Sequence, residues 1–251
     1  MKNEIKSDSK KAVIEVSNLK MGFDAQPVLK DISLNLYEGE NLVVMGRSGS
    51  GKSVLIKCIV RLLQANGGTI KIFGEDVNSA DSNALSEMRK KIGFLFQSGA
   101  LYDSMTVREN LEFPLRRHKT DLTDAQITTK ISEALEQVGL ADAIDKMPSQ
   151  LSGGMRKRIS LARTIVVDPM ILLYDEPTTG LDPITSGEIS DLINQIQKTY
   201  KTSSIIITHD IECARATADR VIMVKDGEVY KEGVLKEFET SDDSEIKAFF
   251  I

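Results

Sequence analysis

Short apolar runs bounded by glycine or charged residues alternate along the chain with longer stretches whose apolar residues recur every three to four positions. The runs "VIEVSNL", "DISLNLY", "NLVVMG", "TIKIFGE", "IGFLFQ", "ILLYDE" and "SIIITHD" predict strands. Three of them, "NLVVMG", "ILLYDE" and "SIIITHD", are apolar on both sides, the pattern of central parallel strands covered on both faces. "DISLNLY" alternates instead and predicts a half-exposed strand of an antiparallel layer, while "RVIMVKDGEVYKEG" reads as a hairpin turning at Asp226-Gly227. Residues 104 to 165 lack convincing strands and read as a helical insertion, in which Ile127, Ile131, Leu135 and Val138 of "DAQITTKISEALEQVGL" share one face. Two further helices are expected, over "SVLIKCIVRLL" and, from an acidic cap, over "SDDSEIKAFFI". Strands alternating with helices give an α/β fold.

Composition narrows the class. With 251 residues, 41% hydrophobic and 27% charged, the chain can bury a substantial core, and one domain with a lobe is expected. A net charge of −5 offers no global basic field, so no nucleic-acid partner is expected. No apolar run reaches the ~18 residues of a membrane span, and "MKNEIKSDSKK" lacks the apolar core of a signal peptide, which points to the cytosol. Cys58 and Cys213 lie in separate helical patterns without paired spacing and read as buried, reduced thiols.

The strongest chemical signal is "GRSGSGKS", which follows the apolar run "NLVVM" and opens a helical stretch. In this strand-loop-helix setting Gly46, Arg47, Ser48, Gly49, Ser50 and Gly51 form a loop whose N–H groups can curl around phosphates. Lys52 can reach the outer phosphates, and the Ser53 hydroxyl can ligate Mg2+. "ILLYDE" ends in two carboxylates that strand alternation sends to opposite sides: Asp175 for the Mg2+ shell and Glu176 to polarise a water in line with the outermost phosphate. His209, at the end of "SIIITHD", is poised beside them at the edge of the sheet where open α/β folds bind ligands. His118, in "LRRHKTD", reads as a solvated surface residue.

"LSGGMRKRIS" places Ser152, Gly153 and Gly154 at the start of a helix, a second anion site by its bare N–H groups and its dipole. Arg156, Lys157 and Arg158 behind it read mostly as a solvated face, with at least one able to add positive charge near phosphates.

The order "GRSGSGKS", Gln97 after a strand, "LSGGM", "ILLYDE", "GLD" and "THD" resembles the ATP-binding-cassette (ABC) ATPases over nearly the whole chain. The resemblance implies a nucleotide-binding domain with a RecA-like core and β layer at about 12–98 and 168–251 and a helical subdomain at about 99–167. It further implies hydrolysis of ATP with Mg2+ in a head-to-tail homodimer, with Ser152, Gly153 and Gly154 capping the nucleotide of the other subunit. By the same resemblance Gln97 contacts Mg2+ or water, and Asp182 links the two sites. Phe23 falls where the family stacks an aromatic ring on adenine; a core position beside the N-terminal sheet is the alternative.

Met155 stands where most of that family has Gln. Together with "FQSGALYDSMTVRENLEFPLR" and "GLDPIT" it is similar to the ATPases of Mla/Mce-type phospholipid transporters, although "SGALYDSMTV" suits an amino-acid importer nearly as well. The resemblance implies a separate membrane permease, accessory lipid-binding or regulatory subunits, and a position on the inner face of the cell membrane. Non-transport members are disfavoured by the single phosphate loop and the lack of long heptads; a nucleotide-gated regulatory protein stays open. The apolar residues after Gln97 should pack the helical lobe in part and leave Leu101, Tyr102 and Met105 as an exposed groove for a short permease helix.

Overall fold

The apolar runs become strands of one ten-stranded mixed sheet, and the periodic stretches become helices on its faces. The computed structural model describes residues 11–24, 26–119 and 121–250. Three antiparallel strands come early in the chain: β1 (Ala12–Phe23), β2 (Gln26–Tyr37) and, after β3 (Asn41–Met45) and α1 (Lys52–Ile59), β4 (Gly67–Ile72). A two-residue β5 (Glu75–Asp76), α2 (Ser82–Lys90) and β6 (Ile92–Leu95) follow. Then come α3 (Val107–His118), α4 (Asp124–Gln137), α5 (Gly153–Ile165), β7 (Ile171–Asp175) and α6 (Pro183–Tyr200). The remainder is β8 (Ser203–Ile207), α7 (Ile211–Thr217), β9 (Arg220–Lys225), β10 (Glu228–Gly233), α8 (Leu235–Glu239) and α9 (Ser244–Phe250).

The sheet order is β5-β4-β1-β2-β10-β9-β3-β8-β7-β6. The three runs expected to be central are parallel neighbours, with Val43 opposite Ile206 between β3 and β8, and Leu172 opposite Ser204 between β7 and β8. Because successive strand side chains point to opposite faces, each run feeds two cores. Val43, Met45, Leu172, Tyr174 and Ile206 pack with the helical lobe. Leu42, Val44, Ile171, Leu173, Ile205 and Ile207 pack with the antiparallel layer and α1. A strand with no polar face needs an apolar layer on each side, and the chain supplies both. Asp226 and Gly227 turn the β9–β10 hairpin with φ of 52° and 82°, and β10 joins the antiparallel strands through Glu228 opposite Asp31.

The lobe forms as its periodicity predicts. Thr106 and Thr123 cap α3 and α4 with capping boxes through Glu109 and Gln126. Ile127, Ile131, Leu135 and Val138 are all buried, and Ile131→Ala is expected to cost about 2–5 kcal/mol of unfolding free energy in urea titration. The helix after the phosphate loop is shorter than expected: α1 ends at Ile59, and Arg61 has a left-handed backbone with φ of 52°. There the Arg61 guanidinium donates to the carbonyls of Val77 and Ala80, so tertiary contacts take over where periodicity would continue the helix. Cys58 and Cys213 are buried free thiols in α1 and α7, each pushed up to about 11 by burial. Asp243 caps α9, as the acidic start of "SDDSEIKAFFI" suggests. Among the described residues no helix is long and apolar enough to cross a membrane.

Candidate active site

The loop between β3 and α1 is shaped by close approach. Gly51 has φ of 96°, and a Cβ there would stand 2.6 Å from the Leu29 side chain, so β2 and the backbone both demand glycine. Lys52 opens α1 almost fully buried, and its ammonium donates to the carbonyl oxygens of Gly46 at 2.8 Å and Arg47 at 3.1 Å. Burial lowers its pKa, against the opposing pull of the Glu176 and Asp175 carboxylates. The next residue reaches across the sheet: Ser53 Oγ donates to Asp175 Oδ1 at 2.7 Å.

Asp175 and Glu176 do not sit on opposite sides of an extended strand. β7 ends at Asp175: the Glu176 N–H still donates to Ile207 O at 2.9 Å as the last rung of the ladder, but Glu176 has φ of 53°, a left-handed conformation. The alternation therefore stops, and both carboxylates end beside the phosphate loop. Glu176 Oε2 lies 2.8 Å from His209 Nδ1 and accepts from the Thr179 hydroxyl at 3.2 Å. The Thr179 contact was not anticipated, because a threonine three residues past a carboxylate carries no pattern of its own.

These groups line one cleft of 410 Å³. Ser48, Gly49, Gly51, Lys52 and Ser53 form one wall, Gln97, Glu176 and His209 the other, and Val28 and Val54 add apolar surface. Arg47 and Ser50 face a neighbouring depression of 420 Å³, where Arg47 approaches Glu245 of α9 at 3.7 Å. A carboxylate whose oxygen is held by a histidine and a threonine, beside a buried lysine and a cradle of loop N–H groups, is equipped to activate water against a bound phosphate.

Ser152, Gly153, Gly154, Asp182 and Phe23 stand outside this cleft. Ser152 caps α5, accepting from Met155 N at 3.2 Å, and is exposed together with Gly153. Gly154 lets α5 approach α6 closely: a Cβ would lie 2.7 Å from Thr185 Cγ2. Asp182 caps α6 and accepts from the Thr185 hydroxyl at 2.6 Å; these hydrogen bonds hold its carboxyl below the ordinary range. Phe23, at the tip of the β1–β2 hairpin, is 46% exposed, which removes the core alternative.

Three expectations are corrected. Lys157 is not on a solvated face: it is 6% exposed, and its ammonium donates to Gln97 O at 2.9 Å. The available signal was its spacing, since Lys157, Ser160, Leu161 and Thr164 recur at helical intervals and all are buried. His118 ends α3 half-buried, and burial with nearby Arg117 and Lys90 lowers its pKa. Leu101 packs against the lobe's core instead of joining an exposed groove, and Met105 is half-buried.

Residues 29–179, spanning the loop, the carboxylates and the Ser152 helix, match the sequence model of the ABC transporter family. The chain belongs to the ABC transporter family. It is 38% identical over 236 residues to a probable ribonucleotide transport ATP-binding protein, mkl, of Mycobacterium leprae, covering 94% of this chain and 68% of that protein. It is 37% identical over 237 residues to the intermembrane phospholipid transport system ATP-binding protein MlaF of Haemophilus influenzae, covering 94% of this chain and 89% of that one. The methionine import ATP-binding protein MetN of Rhizobium etli is 38% identical over 88% of this chain, which spans 61% of MetN's length. Among solved structures, the dimeric ATP-binding cassette MJ0796 in a post-hydrolysis state with ADP and Pi superposes with a TM-score of 0.80 at 33% identity, covering 88% of this chain and 98% of that one. The fold is thus the ABC ATPase α/β fold, and the chain is an ABC transporter ATPase that binds and hydrolyses ATP.

Proposed function

We propose that this ABC ATPase powers a separate membrane permease of the Mla/Mce phospholipid-transport type. The observation that carries the reading is the match to MlaF, which runs over 94% of this chain and 89% of that protein. Met155 in the fifth place of "LSGGM" and the segment after Gln97 support it. The 38% identity to MetN favours a second reading, the ATPase of an amino-acid importer.

Hydrolysis uses the cleft as built. Lys52 and the loop N–H groups bind the phosphates, and Glu176, oriented by His209 and Thr179, takes the proton of the attacking water. The paired oxygens of Ser53 and Asp175, with Gln97 beside them, are the hard donors that Mg2+ prefers, and Mg2+ there would neutralise phosphate charge. Two copies head to tail would bring the Ser152–Gly154 turn of one chain, exposed at Ser152 and Gly153, over the nucleotide of the other, with Asp182 joining the two sites. The exposed Phe23 is free to stack on adenine. The division into a nucleotide-binding core and a helical subdomain at about 99–167 fits this scheme, since the subdomain carries both the cap and the permease contact.

For that contact the exposed aromatic pair is the best candidate. Tyr102 and Phe113 are 40% and 37% exposed with ring centroids 5.2 Å apart, and Arg163 lies over the Tyr102 ring. A short apolar permease helix would dock on this pair, holding the protein at the inner face of the membrane. Purification from membranes, with mass spectrometry of accompanying proteins and lipids, is expected to recover a phospholipid-transport permease. Recovery of an amino-acid permease would establish the second reading instead. Tyr102→Glu should retain ATP binding while releasing the protein from membranes and abolishing lipid transport. Normal membrane association and transport by that variant would move the contact elsewhere.

A further inference from the structure

The Lys157 ammonium is buried, yet among the described residues it forms no salt bridge. Its partners are two main-chain oxygens: Gln97 O at 2.9 Å and Glu176 O at 3.4 Å. Burying an ammonium against carbonyls alone is unfavourable, and here the nearby Asp175 and Glu176 carboxylates offset the desolvation that lowers its pKa. A hydrocarbon side chain would fill the same space without that penalty.

What the charge joins explains its presence. Lys157 lies five residues along α5 from the Ser152 cap, and the same helical face holds the rest of the segment after Gln97. Ser160 packs so tightly that a Cβ on Gly99 would fall 2.6 Å from its hydroxyl, and the Arg163 guanidinium donates to Ala100 O. The positions 157, 160 and 163 recur every three residues, so the loop is laid along one face of the helix. On its other side Lys157 meets the carbonyl of Glu176, the residue whose left-handed backbone aims its carboxylate at His209.

We propose that Lys157 is a positioning residue for hydrolysis, fastening the Gln97 loop and the Glu176 peptide to the helix that carries the Ser152–Gly154 turn. Its ammonium is spent on two main-chain oxygens, so it acts through the residues that carry them. A shift of Gln97 is passed through one ammonium to the first turns of α5, and the Glu176 carboxylate keeps its aim only while its own carbonyl is held.

The test uses the full chain with Lys157→Met, Lys157→Gln and Lys157→Arg, measuring equilibrium ATP affinity, single-turnover hydrolysis and thermal melting. Lys157→Met should bind ATP within about threefold of the parent, melt no lower, and hydrolyse about a hundredfold more slowly, the loss expected when a reacting group shifts by about 1 Å. Lys157→Arg, which keeps charge and donors, should recover most of the rate, and Lys157→Gln, with donors but no charge, should fall between. Hydrolysis by Lys157→Met at the parental rate would overturn the proposal. So would parallel losses of affinity, rate and melting temperature in all three variants, which would mark a purely structural residue. The proposal rests on Glu176 as the base, and that reading is checked separately: turnover that persists unchanged in Glu176→Gln would remove the assigned base and with it the Glu176 arm of the proposal, whereas slow turnover in Glu176→Gln beside parental turnover in Lys157→Met would overturn the role of Lys157 alone.

Discussion

Glu176→Gln is expected to bind ATP as tightly as the parent and to hydrolyse it roughly 10²–10⁴-fold more slowly, the usual effect of losing general-base assistance. The substitution keeps the shape of the side chain, and the amide oxygen can still accept from the Thr179 hydroxyl, which lies 3.2 Å from Glu176 Oε2. What is lost is a group able to take a proton. Neither the Lys52 contacts to the loop carbonyls nor the Ser53–Asp175 hydrogen bond depends on that carboxylate, so affinity should survive. Single-turnover assays with labelled ATP and equilibrium binding separate the two quantities. An unchanged rate would sink the assignment of Glu176 as base and direct attention to a water held by His209 and Gln97, which line the same cleft.

The second large effect concerns assembly. Lys52→Ala removes a charge-assisted bond to phosphate, of the kind that contributes about 1.5–3 kcal/mol, so ATP affinity should fall about 10- to 100-fold. Ser152→Arg changes an exposed residue outside the cleft, so within its own chain it should leave nucleotide binding intact. Each variant alone should hydrolyse poorly. Mixed, they can form heterodimers in which the intact loop of the Ser152→Arg chain meets the intact cap of the Lys52→Ala chain, giving one complete composite site. Part of the parental turnover should then reappear, and the slow Glu176→Gln protein should elute as a dimer in ATP with Mg2+. No recovery on mixing, together with monomers at every nucleotide concentration with the permease present, would rule out a cap supplied in trans.

Much of this site was legible because its parts are local. A phosphate loop needs glycines, a lysine and a hydroxyl at fixed spacing between a strand and a helix, and "GRSGSGKS" after "NLVVM" contains all of them within one turn of chain. The strands were equally plain, since "ILLYDE" and "SIIITHD" have no polar side to show to water, and their burial between two cores follows from that. The lobe's longest periodic stretch announced itself by an apolar stripe every three to four residues, and the structure adds the capping pairs Thr106–Glu109 and Thr123–Gln126 that start α3 and α4.

What sequence alone determined, then, is the central strands, the helical character of residues 104 to 165, the phosphate loop and the candidate reacting groups, because each is encoded by neighbours along the chain. Tertiary structure decided how they meet. Strand periodicity sends Asp175 and Glu176 apart, but the left-handed backbone at Glu176 breaks the alternation, and its carboxylate meets His209 and Thr179. Composition makes Lys157 a surface residue, and only the packing of α5 against the Gln97 loop, sixty residues away in the chain, buries its charge and supplies its carbonyl partner. Leu101 and Arg61 were likewise settled by what lies opposite them, the lobe's core and the carbonyls of Val77 and Ala80. Local pattern fixes local conformation, whereas the direction of a functional side chain depends on partners that the fold brings from distant positions.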